Sequence, residues 1–579
     1  MFKSATTPGA AAHVPTDNQE NPEQQKPEES SQAPVVSQKK FEQSPRLRKW
    51  EERIRPLIPY SKADHPEEYE TYEKLIPVLA AREDSDVPRI VVVTDVELDY
   101  DDLLAIIFLS EMHRLGAIKL AGLIANHGLP LERAKFLRTV MHLLGLGHIE
   151  VAKGTYGMPE TKSYYPGYYE LKNETFKQQE WNNKPFRSGR DLLERLAKEV
   201  DEGEQPLTVL LISSLQDISE FFRAHEHDPK FLQTRFKKFV SQGGYIVKDE
   251  PNEQGYYDIE PMLNVANNTA NIDAAIHYTR CLSEFGLPSD AWSREAAKAA
   301  PLEGTVFTEG SKYGPIGAHL SWLYERQEFK FFWDPFNAPF IPRLDNYWYL
   351  TTRCIMDPTT EKFAAYMKSP PPFHEILPQT KAIAYDGCAA MGAVGDDVMQ
   401  ALGIMGDHIP VPEYNKKRHR IFGRAVGDLG GVNGRRLGDV LQVFLFGALR
   451  HSKDAAEALI PSDSVRHLPE EYANGLDVFE KQVPHLKRSQ EIVDEKKQGV
   501  NTHEKELERL QTGMIEVDGR EYPMIPNKAG GIPYELLYQQ AKDVGDKAAE
   551  ARQKICALEV AREAKRVNEA EAASRRQVQ

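Results

Sequence analysis

Apolar runs and helix-spaced apolar positions alternate along the chain between residues 88 and 284. Short, uninterrupted apolar runs are typical of buried strands, and apolar residues that recur every three or four positions are typical of helices. The predicted strands cover residues 90–93, 120–125, 148–152, 207–212 and 239–242, and the predicted helices cover 102–114, 131–144, 213–222 and 271–284. Strands that alternate with helices predict an α/β fold, with an open, mostly parallel sheet and helices on both of its faces.

Four regions of different composition divide the chain. We predict a disordered tail (1–45), a helical lead-in (46–87), an α/β domain (88–460) and a charged helical extension (461–579). The tail is rich in Pro, Gln, Glu, Ser and Ala and has too few large apolar residues to build a core. Residues 285–380 are rich in aromatic residues and proline, and we expect them to form helices and loops over the edge of the sheet.

The overall charge and the cysteine content narrow the function classes. The chain of 579 residues has a formal net charge of −15, which argues against a broad basic surface for nucleic acid. Its four cysteines are scattered without paired spacing, so neither a disulfide framework nor a thiolate zinc site is indicated. The first residues form no apolar leader, and no apolar run is long enough to span a bilayer. We therefore expect a cytoplasmic protein that binds neither nucleic acid nor membrane.

Five acids stand within eight residues, directly after the first predicted strand and before the first predicted helix. They are Asp95, Glu97, Asp99, Asp101 and Asp102. Acids packed between two buried elements repel one another and lose hydration, and a hard divalent cation held by oxygen ligands compensates for both effects. The stretch therefore predicts a metal site. The alternative is a solvated turn in which Asp101 or Asp102 caps the helix.

Polar residues also follow other predicted strands. Asn126 follows the second strand, and Ser213 follows the strand over 207–212. Because ligands of parallel sheets lie at the carboxyl ends of the strands, we expect these groups to meet the acids. Asp386 follows a further apolar run at 382–384 and precedes a helix of small residues, which repeats the arrangement of strand, acid and helix. Taken alone, Asp386 is also explained as a helix cap.

Six short stretches resemble, in this order, motifs of the nucleoside hydrolase family, the calcium-dependent N-ribohydrolases that include inosine/uridine-preferring members. They are 95–103 (Asp-Val-Glu-Leu-Asp-Tyr-Asp-Asp-Leu), 125–126 (Ala-Asn), 211–218 (Leu-Ile-Ser-Ser-Leu-Gln-Asp-Ile), 242–244 (Gln-Gly-Gly), 265–275 (Val-Ala-Asn to Asn-Ile-Asp-Ala-Ala) and 385–390 (Tyr-Asp-Gly-Cys-Ala-Ala). The resemblance covers roughly residues 88–405. It implies a nucleoside-hydrolase-like sheet, hydrolysis of a nucleoside or related N-riboside in purine or pyrimidine salvage, and a homo-oligomer as one option for assembly.

The same resemblance implies roles for individual residues. The Ca²⁺ ligands would be Glu97, Asp102, Asp386 and the backbone carbonyl of Ile212. The substrate contacts would be Asp101, Asn126 and Asn267 at the ribose hydroxyls, and Tyr385 where some members have a His that helps the base depart. Glu97 would also be the general base that takes a proton from the attacking water.

Departures from the family pattern leave two functions open. Glu97 stands in place of the family's Asp, Leu98-Asp99 in place of its Pro-Gly turn, and Val265 in place of a carboxylate that grips the 5′-hydroxyl. The first hypothesis is a divergent N-ribohydrolase, and the alternative is a catalytically impaired binding or scaffold protein with the same fold. An NAD-dependent enzyme is disfavoured because no Gly-x-Gly-x-x-Gly follows the first predicted strand.

Overall fold

The computed structural model of the chain describes residues 45–159, 161, 164, 170–252, 257–263, 265–337, 346–406, 418–424, 427–466, 514–517 and 520–523. Residues 1–44 of the predicted tail lie outside the described residues, as does most of the predicted helical extension.

Thirteen strands occur in the described part of the chain. They are β1 (Arg89–Thr94), β2 (Lys119–Ala125), β3 (Val151–Lys153), β4 (Leu207–Ile212), β5 (Phe236–Gln242), β6 (Tyr245–Pro251), β7 (Tyr257–Pro261), β8 (Ser289–Trp292), β9 (Pro301–Glu303), β10 (Lys381–Ile383), β11 (His419–Phe422), β12 (Met514–Val517) and β13 (Arg520–Pro523).

The α-helices of the described residues begin with three in the segment before β1. In chain order they are α1 (Pro45–Ile54), α2 (Pro66–Glu73), α3 (Leu75–Ala81), α4 (Tyr100–Leu115), α5 (Pro130–Leu143), α6 (Glu174–Lys177), α7 (Gly189–Lys198), α8 (Gln216–His225), α9 (Pro229–Arg235), α10 (Ala266–Ala270), α11 (Ile272–Glu284), α12 (Arg294–Lys298), α13 (Thr305–Gly310), α14 (Gly314–Asn337), α15 (Asn346–Trp348), α16 (Glu361–Lys368), α17 (Phe373–Ile376), α18 (Tyr385–Val394), α19 (Asp396–Ala401), α20 (Gly434–Leu459) and α21 (Ser462–Arg466). None of these described helices combines the length and apolar character needed to cross a membrane.

Seven parallel strands form the main sheet, in the order β11-β8-β5-β4-β1-β2-β3. Successive residues of β1 face opposite sides: Ile90 and Val92 belong to one apolar core, and Val91 and Val93 belong to the other. Helices cover both faces, which explains why β1 and β4 are buried along their whole length. The predicted α/β fold with an open parallel sheet is confirmed.

The strands at the centre of the sheet end at one level. Thr94 at the end of β1 pairs in register with Ala125 of β2 and with Ile212 of β4. The residues that follow these three strands therefore emerge at the same edge of the sheet, as the sequence predicts.

Two strands of the main sheet were not predicted. The aromatic, proline-rich segment was expected to contain only helices and loops, but β8 lies within it and joins the sheet beside β5. The sequence of β8 has no apolar run, because Ser289 and Asp290 are polar residues that are buried with partners. Ser289 Oγ contacts His419 Nδ1 at 2.9 Å, and Asp290 pairs with Lys238 and Arg420. The edge strand β11 extends the sheet beyond residue 405, where the motif resemblance ends.

The apolar run before Asp386 forms β10, but this strand is not part of the main sheet. It pairs antiparallel with β9 in a separate two-stranded sheet. The helix that follows, α18, is almost wholly buried and packs beside α4. Small residues allow this approach, since a Cβ added at Gly387 would lie 2.9 Å from Leu104 Cδ2.

The described residues of the C-terminal extension include β12 and β13, which pair antiparallel. The prediction of helix was wrong for these strands, where the β-branched residues Ile515 and Val517 favour extended structure. Apart from residues 461–466, 514–517 and 520–523, the predicted helical extension lies outside the described residues.

Candidate metal centre

The carboxylates of Asp99, Asp101, Asp102 and Asp386 converge at the carboxyl edge of the main sheet. One oxygen from each lies within 4.8 Å of the others. Asp99 directly precedes α4, Asp101 and Asp102 lie in its first turn, and Asp386 lies in the first turn of α18. We call these four residues the acid cluster.

Burial makes the charged form of this cluster costly. Asp101, Asp102 and Asp386 are between 1% and 5% exposed. Burial raises the pKa of each of them well above its ordinary value, and the neighbouring carboxylates raise the pKa further. Without a cation, burial and mutual repulsion therefore favour the protonated form of these acids.

Asp95 stands beside the cluster and is also buried. Burial raises its pKa to about 7, and Asp99 adds to the rise, while the Arg133 guanidinium opposes it. The Asp95 backbone amide donates to Asp102 Oδ1 over 3.2 Å, and the Thr94 hydroxyl donates to the same oxygen. These bonds fix the orientation of the Asp102 carboxylate.

The donor set fits a hard divalent cation. It consists of carboxylate oxygens alone, which is the ligand type that Ca²⁺ prefers. The Asp99 Oδ1 atom is buried and has no hydrogen-bond partner among the described residues. A buried carboxylate oxygen without a donor is costly, and a cation would satisfy it.

Arg133 of α5 holds the loop that leads from β1 to the cluster. Its side chain is fully buried and donates to the carbonyls of Asp95 at 2.9 Å, Val96 at 2.8 Å and His127 at 2.8 Å. It also pairs with Glu170 at 3.1 Å. This arginine therefore ties the loops after β1 and β2 together, and no sequence pattern had singled it out.

Glu97 is not a member of the acid cluster. Its side chain is fully buried, and its Oε1 lies 2.7 Å from His319 Nε2 of α14. The sequence had placed Glu97 at the metal and at the position of the base, whereas the structure brings Asp99 to the other three acids. Asp99 belongs to the same run of acids, and its spacing of two from Asp101 was the available signal.

Asn126 was expected to hold a ribose hydroxyl, but its amide is bonded within the protein. Its Nδ2 donates to Asp217 Oδ2 at 2.7 Å and to the Ser214 carbonyl at 3.0 Å, and the Ser213 hydroxyl donates to its Oδ1. Asn126 is fully buried. In this structure it joins the loop after β4 to the end of β2.

The other predicted site residues lie at the same edge of the fold. Ile212 ends β4 beside Thr94. Asn267 lies in the first turn of α10 and donates to Gln242 Oε1 at the end of β5 over 2.8 Å. Tyr385 is half-buried and directly precedes Asp386. Burial raises the pKa of Tyr385 to about 12, so its phenol keeps its proton at neutral pH.

A buried arginine in the aromatic segment braces the two helix starts that carry the acids. Arg353 pairs with Glu328, and its Nη2 donates to the Tyr100 hydroxyl over 3.1 Å. The Ile383 amide donates to the same hydroxyl over 2.9 Å. Tyr100 therefore links the start of α4 to β10, immediately before α18, and sequence analysis had not singled out Arg353 or Glu328.

Comparison with solved structures finds similar folds. The chain matches the type III effector protein XopQ, solved in complex with adenosine diphosphate ribose, at 16% identity over 67% of this chain and 98% of that chain, with a TM-score of 0.50. At this identity the likeness is one of fold. The effector protein XOO4466 matches at 18% identity over 66% of this chain and 99% of that chain, with a TM-score of 0.48.

Structural similarity extends to nucleoside hydrolases. The purine-preferring ribonucleoside hydrolase from Gardnerella vaginalis matches at 14% identity over 63% of this chain and 99% of that chain, with a TM-score of 0.37. No family model and no curated protein matches the chain in sequence. The comparisons therefore show a similarity of fold to these effector proteins and to nucleoside hydrolases, at low sequence identity.

Proposed function

We propose that this chain binds Ca²⁺ through its acid cluster and hydrolyses the N-glycosidic bond of a ribosyl ligand held there. The observation that carries the proposal is the convergence of four carboxylates within 4.8 Å, three of them nearly inaccessible to water. In the described part of the chain, no basic side chain hydrogen-bonds to these four carboxylates, so a bound cation is the natural source of positive charge.

The spacing is compatible with Ca²⁺. Ca²⁺ binds oxygens at about 2.3–2.6 Å, so two oxygens on opposite sides of the ion stand roughly 5 Å apart. The separation of 4.8 Å or less in the acid cluster falls within this limit. The backbone carbonyl of Ile212 at the end of β4 is proposed as a further ligand, as the family resemblance implies.

The reaction would use residues of the cluster in distinct roles. When bound, Ca²⁺ supplies positive charge that acidifies water and orients hydroxyl groups. Asp99 is the one member of the acid cluster that is partly exposed, and we propose that its second carboxylate oxygen takes the general-base role first given to Glu97. The water oxygen bonds to the anomeric carbon, the carbon–nitrogen bond breaks, and the leaving base takes a proton from solvent.

Three further residues would position the ligand. Asp101 and Asn267 are proposed to accept or donate hydrogen bonds at the ribose hydroxyls. Tyr385, whose pKa of about 12 keeps the phenol protonated, is proposed to donate a hydrogen bond to the ligand. Fixing the sugar in this way orders the reacting atoms before water attacks.

The ligand class follows from the proposed site chemistry and from one comparison. The similar effector XopQ was solved with adenosine diphosphate ribose, which carries a ribosyl group. A panel for this chain therefore includes adenosine diphosphate ribose beside the common ribonucleosides.

A second function is binding without turnover. Two residues that the family resemblance assigned to the chemistry have partners within the protein: Glu97 contacts His319, and Asn126 bonds Asp217. A protein that keeps the cation and the sugar site but lacks efficient base catalysis would act as a ribosyl-ligand sensor or scaffold.

The two functions are separated by one experiment on the full chain. Calorimetry measures Ca²⁺ binding after chelator treatment, and chromatography then follows release of base or ribose from the panel. We expect Ca²⁺-dependent release that falls by about 100-fold in Asp99→Asn, as for loss of a general base. Ca²⁺-dependent ligand binding with no release supports the scaffold function, and absence of Ca²⁺ binding contradicts both.

A further inference from the structure

Glu97 has a backbone conformation that residues other than glycine rarely adopt. Its φ is +76°, in the left-handed region, which costs an ordinary residue about 1–2 kcal/mol. The turn is closed by the Leu98 amide, which donates to the Asp95 carbonyl over 2.9 Å. Asp99 follows two residues later, so this turn sets the direction from which its carboxylate reaches the acid cluster. Such a conformation persists only where surrounding contacts hold it.

The backbone side of this turn is held by Arg133, as described above, and the side chain of Glu97 is held by His319. The Glu97 Oε1 atom lies 2.7 Å from His319 Nε2. Its other oxygen, Oε2, is buried and has no hydrogen-bond partner among the described residues. Within the described structure, the contact with His319 is therefore the one hydrogen bond of the Glu97 side chain.

The hydrogen bonds of Asn173 show which nitrogen of His319 carries the proton in the contact with Glu97. The Phe176 amide donates to Asn173 Oδ1 over 3.1 Å, which turns the Asn173 Nδ2 group towards His319. That Nδ2 lies 3.0 Å from His319 Nδ1 and has only protons to offer, so Nδ1 accepts. His319 consequently carries its proton on Nε2 and donates it to Glu97.

The hydrogen-bonded series from Asn173 to Glu97 is shielded from water. Glu97 and His319 are 0% exposed and Asn173 is 2% exposed. The His319 ring packs against Phe136 and Phe176, with ring centroids 5.1 and 5.4 Å away. In these surroundings the imidazole has a fixed orientation, and a lost hydrogen bond cannot be replaced by solvent.

We propose that His319 is a positioning residue for the metal centre: by holding Glu97 in the left-handed turn, it places the Asp99 carboxylate against Asp101, Asp102 and Asp386. His319 lies 222 positions from Glu97 in the sequence and belongs to none of the motifs that resemble nucleoside hydrolases. The proposal rests on the proposed binding of Ca²⁺ by the acid cluster.

Two substitutions at His319 test this role in the full chain. His319→Leu removes the donor, and His319→Gln retains an amide N–H near the position of Nε2. Partners that orient metal ligands typically change affinity by about 10–100-fold when they are lost. We expect the Ca²⁺ dissociation constant, measured by calorimetry, to rise at least about 10-fold in His319→Leu, and His319→Gln to remain within about threefold of wild type.

His419→Leu is the matched control. His419 is also buried and hydrogen-bonded, to Ser289 Oγ at 2.9 Å, but it lies on the edge strand β11. His419→Leu should lower the melting temperature about as much as His319→Leu does, and should leave the Ca²⁺ affinity within twofold of wild type. Equal Ca²⁺ affinity in His319→Leu and wild type would overturn the proposal, and so would equal weakening in His419→Leu.

A second measurement separates this inference from the proposed function. Hydrogen–deuterium exchange of the peptide that spans residues 95–99 is followed in the metal-free proteins. Faster exchange of this peptide in His319→Leu, with the wild-type rate regained in His319→Gln, supports the positioning role. This result holds even if wild type binds no Ca²⁺ and the proposed function is wrong. Unchanged exchange together with absent Ca²⁺ binding overturns both.

Discussion

The backbone amide of Asp386 donates to Oδ2 of Asp101 over 3.4 Å. This bond joins the first turns of α18 and α4, which are 285 residues apart in sequence. Helix N-termini favour nearby negative charge, so both helices partly compensate the carboxylates that they bring together. The convergence of Asp386 with the acids after β1 is the structural condition on which the proposed metal centre depends.

Asp386→Asn should abolish Ca²⁺ binding and stabilise the metal-free protein at pH 8. The asparagine keeps the shape of the side chain but removes a carboxyl group whose charged form is disfavoured by burial and by Asp101 and Asp102. Calorimetry measures the loss of binding, and thermal unfolding in chelator measures the rise in melting temperature. Asp273→Asn, at an exposed acid in the first turn of α11, is the control and should change neither. Unaltered Ca²⁺ affinity in Asp386→Asn would remove Asp386 from the site.

Ca²⁺ affinity should rise as the pH increases from 6 to 8, with release of protons. The pKa of Asp95 is raised from 3.8 to about 7, and the pKa values of Asp101, Asp102 and Asp386 are raised as well. Ca²⁺ binds the deprotonated acids, so it must displace those protons. Calorimetry in two buffers of different ionisation enthalpy counts the released protons, and an affinity independent of pH would contradict the expected coupling.

The stability of the metal-free protein should show the opposite pH dependence. An acid whose pKa is raised by folding contributes stability that is fully present below its unfolded pKa and is lost as the pH rises through its folded pKa. For Asp95 the stabilising contribution is fully present below about pH 3.8 and is lost as the pH rises through about 7. The difference in melting temperature between chelator-treated and Ca²⁺-loaded protein should therefore widen from pH 5 to pH 8. A constant difference would show that these acids are not linked to the ion.

Glu97→Gln and Asp99→Asn should have different effects on Ca²⁺ binding. Glu97→Gln retains an oxygen that can accept from His319 and removes a charge outside the acid cluster, so we expect at most a threefold loss of affinity. Asp99→Asn removes a charge within the cluster, and we expect a loss of at least about 10-fold, since ligand charge tunes Ca²⁺ affinity over several orders of magnitude. The reverse order would restore Glu97 as the ligand that the family resemblance implied.

Asp217→Ala should destabilise the fold by roughly 3 kcal/mol. The buried Asp217 carboxylate accepts from Asn126 Nδ2, from the Thr155 amide and from the Thr155 hydroxyl, at 2.7–2.9 Å. Its removal leaves buried donors unpaired, each at a cost of about 1–3 kcal/mol. Urea unfolding measures the loss, with the exposed Asp273→Ala as control. A change below about 1 kcal/mol would show that water replaces the carboxylate.

The sequence was sufficient to predict the strands at the centre of the sheet and the region of the candidate site. β1 and β4 are apolar at nearly every position because both of their faces are covered, and β4 was predicted at its observed bounds. The run of acids after β1 and the repeat of strand, acid and helix at Asp386 pointed to acids that do converge at the carboxyl edge of the sheet. These features are local, so periodicity and spacing reveal them.

The remaining features depend on contacts between distant parts of the chain. β8 contains Ser289 and Asp290, whose burial is possible only because His419, Lys238 and Arg420 supply partners. Glu97 adopts a left-handed conformation, contacts His319 and stands outside the acid cluster, whereas Asp99 belongs to it. A motif that is aligned position by position carries no information about this backbone conformation or about the contact with His319.

The most direct test of the proposed metal centre is a crystal structure of the full chain soaked with a lanthanide that substitutes for Ca²⁺, read by anomalous scattering. We predict one strong peak about 2.3–2.6 Å from oxygens of Asp99, Asp101, Asp102 and Asp386. Absence of a peak between these four residues, or a peak bound by Glu97 instead of Asp99, would contradict it.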